Sequence, residues 1–191
     1  MLRTSLVCLV FFLGIGSANA TLITVDARNN STSGGGVGMG TGINLNLGDY
    51  FSASAALDDL WSAGNLPRWS NADGLVMDLF ATGSDESGQA AGTKIGRNFG
   101  LYNQHGLSLP YGTLVGSLGG NFFAMGTSYS GNAIASGELL LWYWDVNRGD
   151  NTGAIDVMIS TRDSSAVPEP SVVGLFGLGL LGLGLVRRKR D

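Results

Sequence analysis

The chain has 191 residues, 44% of them hydrophobic and 14% charged, with a net charge of −4 at pH 7, 31 glycines, one histidine and one cysteine. Four cations near its end mask a more acidic interior, since residues 21–165 carry six basic and thirteen acidic side chains, a net charge of about −7. This excludes a basic patch for nucleic acid and instead suits divalent cations or neutral ligands.

Residues 1–20 have the layout of a secretory signal helix. Arg3 supplies the positive start, Leu6 to Ile15 the apolar stretch and Ala18-Asn19-Ala20 the small-x-small cleavage site, so the mature chain is expected to begin at Thr21. Cys8 lies inside this segment and leaves with it, so no disulfide or cysteine metal site is expected in the exported protein. Residues 21–165 then suffice for one domain with its own core.

Local patterns in that domain read as β. No stretch sustains a 3.6-residue apolar period, and short apolar runs recur between Gly, Asn, Asp and Ser clusters. The alternation of Gly34 to Gly42 with Val37, Met39 and Thr41 lacks the strand and helix of a dinucleotide site, and reads as a loop or edge segment. Ile43, Leu45 and Leu47 alternate with Asn44 and Asn46, and Phe51, Ala53 and Ala55 with Ser52 and Ser54, which predicts two half-buried strands with a hairpin turn at Gly48-Asp49. Further strands are expected at Leu75 to Phe80, Tyr111 to Leu118, Asn121 to Gly126, Glu138 to Trp144 and Ala154 to Ile159. Seven or so short antiparallel strands predict an all-β sandwich or jelly roll.

The longest irregular segment, Leu57 to Asp73, places Trp61, Pro67 and Trp69 among Asp58, Asp59 and Asn71. Tryptophans in such a loop either stack on sugar rings or cap the end of the core. From Gly137 to Ile159 an apolar run ending at Trp144 and an alternating one beginning at Ala154 predict a long-looped hairpin. Its loop gathers Asp145, Asn147, Asp150 and Asn151, hard oxygen donors of the kind calcium takes six to eight of at about 2.4 Å. The spacing is not that of a helix-loop-helix calcium site, because Gly149 and Asp150 are interchanged with respect to that pattern; the same residues also make an ordinary polar turn.

Catalysis finds little support, and the chain reads as a non-enzyme. His105 is the sole histidine, with Ser108 near it in sequence but no third group. The pairs Asp58-Asp59 and Asp85-Glu86 are chain neighbours, which do not converge on a substrate as a glycosidase pair must, and read as solvated loop charge.

Several pieces of the domain resemble the LecA-type calcium-dependent galactophilic lectins and their galactose-binding-like relatives. They are Asn46-Leu47-Gly48-Asp49 with the strand after it, Trp69 with Asn71 to Leu75, Tyr111 to Gly116, Trp144-Asp145-Val146 and Gly149 to Gly153. The resemblance implies a calcium ion held by Asp145, Asp150 and Asn151 with backbone carbonyls of Leu45 and of Asn147 or Arg148. It also implies a sugar contacted by Asp73, Asp145 and Asn151, with Trp69 beside it. The loop from Asp145 to Asn151 is about two residues shorter than in those lectins, and Asp150 and Leu45 stand in place of an amide and an aromatic residue.

The chain closes with Val167-Pro168-Glu169-Pro170, an apolar run from Ser171 to Val186, and Arg187-Arg188-Lys189-Arg190. At about 1.5 Å per residue that run reaches about 24 Å as a helix, somewhat less than a hydrocarbon core of roughly 30 Å, and the cations can snorkel to the headgroups. Its glycines, each costing about 1 kcal/mol in a soluble helix, suit close packing in a membrane. The three-part tail resembles the PEP-CTERM sorting signals. That implies recognition of Pro168, Glu169 and Pro170 by an exosortase-type processing enzyme, transient or lasting insertion of helix 171–186 in the inner membrane, and delivery to the envelope or extracellular matrix. The expected organisation is therefore a signal peptide (1–20), a sandwich domain (21–165) and a sorting tail (166–191). Two functions compete: a calcium-dependent polysaccharide-binding module, and a structural exopolysaccharide-associated protein with no specific sugar ligand.

Overall fold

The computed structural model describes residues 18–162. Most of the expected signal segment, and the whole sorting tail with its apolar run, lie outside the described residues. Among the described residues no helix is long and apolar enough to cross a membrane.

The described chain is all-β. Its strands are β1 (Ala18–Asp26), β2 (Met39–Leu45), β3 (Tyr50–Ala55), β4 (Trp61–Ser62), β5 (Trp69–Ser70), β6 (Leu79–Phe80) and β7 (Lys94–Gly96). They continue with β8 (Leu101–Gln104), β9 (Leu107–Pro110), β10 (Leu114–Leu118), β11 (Asn121–Ala124), β12 (Ser128–Asn132), β13 (Gly137–Tyr143) and β14 (Ala154–Arg162). One antiparallel sheet has the order β1-β14-β3-β12 and another β11-β10-β13-β2, while β4-β5, β6-β7 and β8-β9 form two-stranded ribbons.

Alternation explains how the two large sheets share one core. Val25, Phe51, Ala53, Ile155, Val157 and Ile159 of the first sheet join Leu45, Leu114, Leu118, Leu139, Leu141 and Tyr143 of the second in a single buried cluster. Every second residue of β14 is buried from Ile155 to Ile159, as period-2 side-chain geometry requires of a strand with one covered face. Each fully buried Leu, Ile or Phe contributes about 1.5–3 kcal/mol, so this cluster is the main source of stability.

Two expected hairpins are not hairpins. β2 pairs with β13 and β3 with β14 and β12, so the turn at Gly48-Asp49 carries the chain from one sheet to the other. Asn46 and Asp49 close that turn themselves: the Asp49 N–H donates to the Asn46 carbonyl at 3.0 Å and Asp49 Oδ2 accepts from the Asn46 N–H at 2.8 Å. Gly48, at φ 91°, takes a conformation that glycine adopts without steric cost. The loop between β13 and β14 likewise crosses between sheets. Local turn chemistry is the same in both cases; what differs is that Leu45 and Phe51 enter the core from opposite sides. Of the strand expected over Leu75 to Phe80, only Leu79–Phe80 forms.

β1 starts at Ala18 and its register with β14 runs from Ala18↔Arg162 to Asp26↔Ala154. The three residues expected to end the signal segment thus form rungs of this ladder. The chain enters and leaves the domain on neighbouring strands at one end, and the loop rich in oxygen donors lies beyond the other.

Candidate functional site

At that other end, Trp144 and the segment to Gly153 follow β13. The Trp144 indole is fully buried and its Nε1–H donates to the Tyr102 carbonyl at 3.0 Å, so the loop begins from a fixed point. Asn147 caps a 3-10 turn at Arg148–Asp150, its Oδ1 accepting from the Gly149 N–H at 3.1 Å. Arg148 anchors the turn outward, donating to the Gly35 carbonyl at 2.8 Å. Such side-chain-to-backbone closure is what Asn and Asp offer in turns.

Three of the expected ligands share one pocket. Asp145, Asn147 and Asp150 line a cleft of about 290 Å³ with Ala63, Arg68, Phe99, Tyr111 and Val146. Asn151 sits just behind, 1% exposed, with its Nδ2 donating to the Ala27 carbonyl at 3.1 Å. Its Oδ1 is buried and has no hydrogen-bond partner, an expensive state for an amide oxygen.

Asp145 is the electrostatic centre. It is 3% exposed, and burial pushes its carboxyl up to about 6, against the opposing pull of the Val146 and Asn147 N–H groups and the Asn151 amide. The Asp150 charge adds to the upward push. Asp145 Oδ2 accepts from the Asn147 N–H at 3.3 Å, and Asp150 Oδ1 accepts from Asn147 Nδ2 at 2.8 Å. Two carboxylates, one of them buried, therefore face one space with a single cationic side chain, Arg68, in its wall.

Part of the lining is aromatic. The Phe99 and Tyr111 rings meet edge to face at 5.4 Å, and Tyr111 stacks on Tyr102 at 5.6 Å. The Arg68 guanidinium lies 4.5 Å above the Phe99 ring and that of Arg97 5.6 Å from it.

Other expected site residues lie elsewhere. Leu45 pairs with Gly137, the first residue of β13, whereas Asp145 follows the last; at about 3.3 Å per residue the two are separated by about 20 Å or more. A ligand role for the Leu45 carbonyl is corrected by this register, and the carbonyl that belongs to the cleft residues is that of Ala63, which accepts from Arg68 Nη1 at 3.4 Å. Asp73 and Trp69 line a different pocket with Val76 and Met77. The Asp73 carboxylate is engaged there by Thr127, whose N–H donates to Oδ1 at 2.8 Å, which ties two loops together. Trp61 is fully buried, its Nε1–H donating to the Gly112 carbonyl at 2.9 Å and its ring edge-on to Tyr143 at 4.5 Å; it caps the core. Trp69 packs on a small cluster of Leu60, Ala81 and Ile95.

Arg68 and Phe99 escaped the sequence reading because nothing in their spacing links them to the loop: Arg68 and Asp150 are 82 residues apart. Gly64 carries a faint signal, since a Cβ there would fall 2.4 Å from Asp150 Oδ2, so the carboxylate reaches its place only over a bare backbone. No cluster of three or more His, Cys, Asp or Glu side chains suited to a metal is found among the described residues; any cation here would rest on two carboxylates completed by amide and carbonyl oxygens.

Comparison with known proteins finds a match among solved structures to the EclA N-terminal domain, a PllA-like lectin, at 21% identity and a TM-score of 0.47, covering 74% of this chain and 95% of that one. A search of curated proteins finds no match. The tail is matched directly: residues 166–190 fit the model of the PEP-CTERM protein-sorting motif.

Proposed function

We propose that this is an exported protein, routed by its tail to an exosortase-type processing enzyme and thence to the envelope or matrix, whose sandwich domain binds a neutral carbohydrate with the help of calcium. The observation that carries the reading is the cleft at the loop end, where Asp145 and Asp150 share the lining with Phe99 and Tyr111. Aromatic faces cover the apolar C–H surface of a sugar ring, and carboxylates accept from its hydroxyls. At about 290 Å³ the space is close to the lower end of ligand pockets, roughly 300 Å³.

The donor set fits calcium chemically. Asp145, Asp150 and Asn151 would hold it, with the Ala63 carbonyl as a fourth donor, and the ion would supply positive charge to which vicinal hydroxyls can bind. An ion beside Asp145 also offsets the cost of its buried charge and gives the Asn151 Oδ1 a partner. The resemblance of Trp144-Asp145-Val146 and Gly149 to Gly153 to calcium-dependent lectins supports the same residues. No part of this chemistry requires a nucleophile or a proton relay, in keeping with a binding protein.

The test is retention of the purified full chain on immobilised neutral polysaccharides, galactose-containing ones first, in 1 mM calcium and again in excess chelator. Retention that is lost on chelation supports the reading. Absence of retention on any matrix under both conditions rejects it in favour of a structural matrix protein without a specific sugar.

A further inference from the structure

The cation side of this cleft is already occupied by a side chain. Arg68 Nη1 lies 3.4 Å from the Ala63 carbonyl and 3.5 Å from Asp150 Oδ2, two of the four oxygens that a calcium ion would use. We propose that Arg68 is a displaceable internal cation, competing with calcium for Asp150 and the Ala63 carbonyl and so setting the calcium concentration at which the site fills. The inference rests on the calcium reading of the cleft.

Two observations show that the competition is local. Asp145 and Asn151 are at most 3% exposed, Arg68 touches neither, and the Asn151 Oδ1 has no partner, so Arg68 engages only the outer donors and leaves the inner ones to backbone and amide groups. The arginine contact is also loose: its partners are at the long end of hydrogen-bonding distance, and the Arg68 and Asp150 side chains are 35% and 37% exposed. Exposed pairs of this kind are weak, so an ion held by the inner donors can dislodge the guanidinium. Phe99 gives the displaced group somewhere to go, because its ring already lies 4.5 Å beneath the guanidinium.

Gly64 reinforces the arrangement. Its missing Cβ is what lets the Asp150 carboxylate and Arg68 Nη1 approach the same stretch of backbone, at 2.4 Å and 3.3 Å from where that atom would stand. Nothing else cationic is in the cleft wall, so removing this one charge changes the competition without removing a ligand.

The experiment is calorimetric titration of calcium into the full chain in detergent, wild type against Arg68→Met, with Arg97→Met as control. Met keeps an unbranched apolar stem over Phe99 and removes the charge, while Arg97 touches the same ring 5.6 Å away but no cleft oxygen. Arg68→Met should bind calcium severalfold more tightly, up to about fivefold, the scale of an exposed ion pair that the ion no longer has to break. Arg97→Met should bind as wild type does. If wild type binds and Arg68→Met binds no more tightly, the competition is overturned while the calcium reading stands; if neither binds, both fall. A parallel melting curve in chelator checks that the variants are folded.

Discussion

Asp145 carries a charge that the fold does not welcome. Its carboxyl, pushed up to about 6 by burial, is ionised at neutral pH in a place where ionisation is costly. In chelator, Asp145→Asn should therefore melt a few degrees above wild type, because the amide keeps the shape and removes the buried charge. In 1 mM calcium the order should invert, since an ion bound only by the native state stabilises it by RT ln(1 + [L]/Kd) and the variant loses a ligand. Scanning calorimetry of both proteins in both buffers decides it. Curves that shift in parallel, with no crossing, would mean that Asp145 is a purely structural acid. The place of this residue at the head of a loop dense with oxygen donors was legible in the sequence. That Arg68 faces Asp150 across the cleft was not, because an 82-residue separation leaves no trace in local spacing.

At the level of elements, short ribbons hold their loops by side chain rather than by ladder. Between β6 and β7 the Asp85 carboxylate accepts from the N–H and Oγ1 of Thr82 and the N–H and Oγ of Ser87. Those bonds, that from the Ser87 hydroxyl foremost, hold its carboxyl down at about 2. A folded pKa below the unfolded value of about 3.9 means that the unfolded chain binds more protons in between, so this loop closure is fully present above about pH 4 and is lost as pH falls toward 2. A carbon-detected NMR titration should place the Asp85 midpoint near 2, with amide exchange at Thr82 and Ser87 rising as it protonates; a midpoint near 4 would show that the carboxylate is free. Strand positions were largely readable, as the alternation around Leu45, Phe51 and Ile155 shows. Their partners were not: Gly48-Asp49 has the chemistry of a hairpin, and only the need of Leu45 and Phe51 to meet from opposite sheets turns it into a crossing.

For the whole molecule, the sorting motif and the cleft occupy separate stretches of the chain. The motif at residues 166–190 lies beyond the last strand, so replacing Pro168, Glu169 and Pro170 by alanine should leave the sandwich intact and alter only the fate of the chain. Fractionation and immunoblotting should find the variant at full length in the inner membrane and the wild type shortened and exported; equal size and location for both would remove the processing step from the proposal. The tail was the most legible part of the sequence because its three segments act through composition and order and need no long-range contact.

The neighbouring positions of Ala18 and Arg162 have a mechanical consequence. The tail leaves from one end of β14, and the cleft lies past the other, about 26 Å away along nine residues at about 3.3 Å each. A chain held by its tail and tugged by a polymer seated in the cleft is loaded lengthwise along that strand. β14 sits between β1 and β3, so the rungs on both of its sides are sheared together instead of being peeled one at a time, and the pull is resisted by two ladders at once.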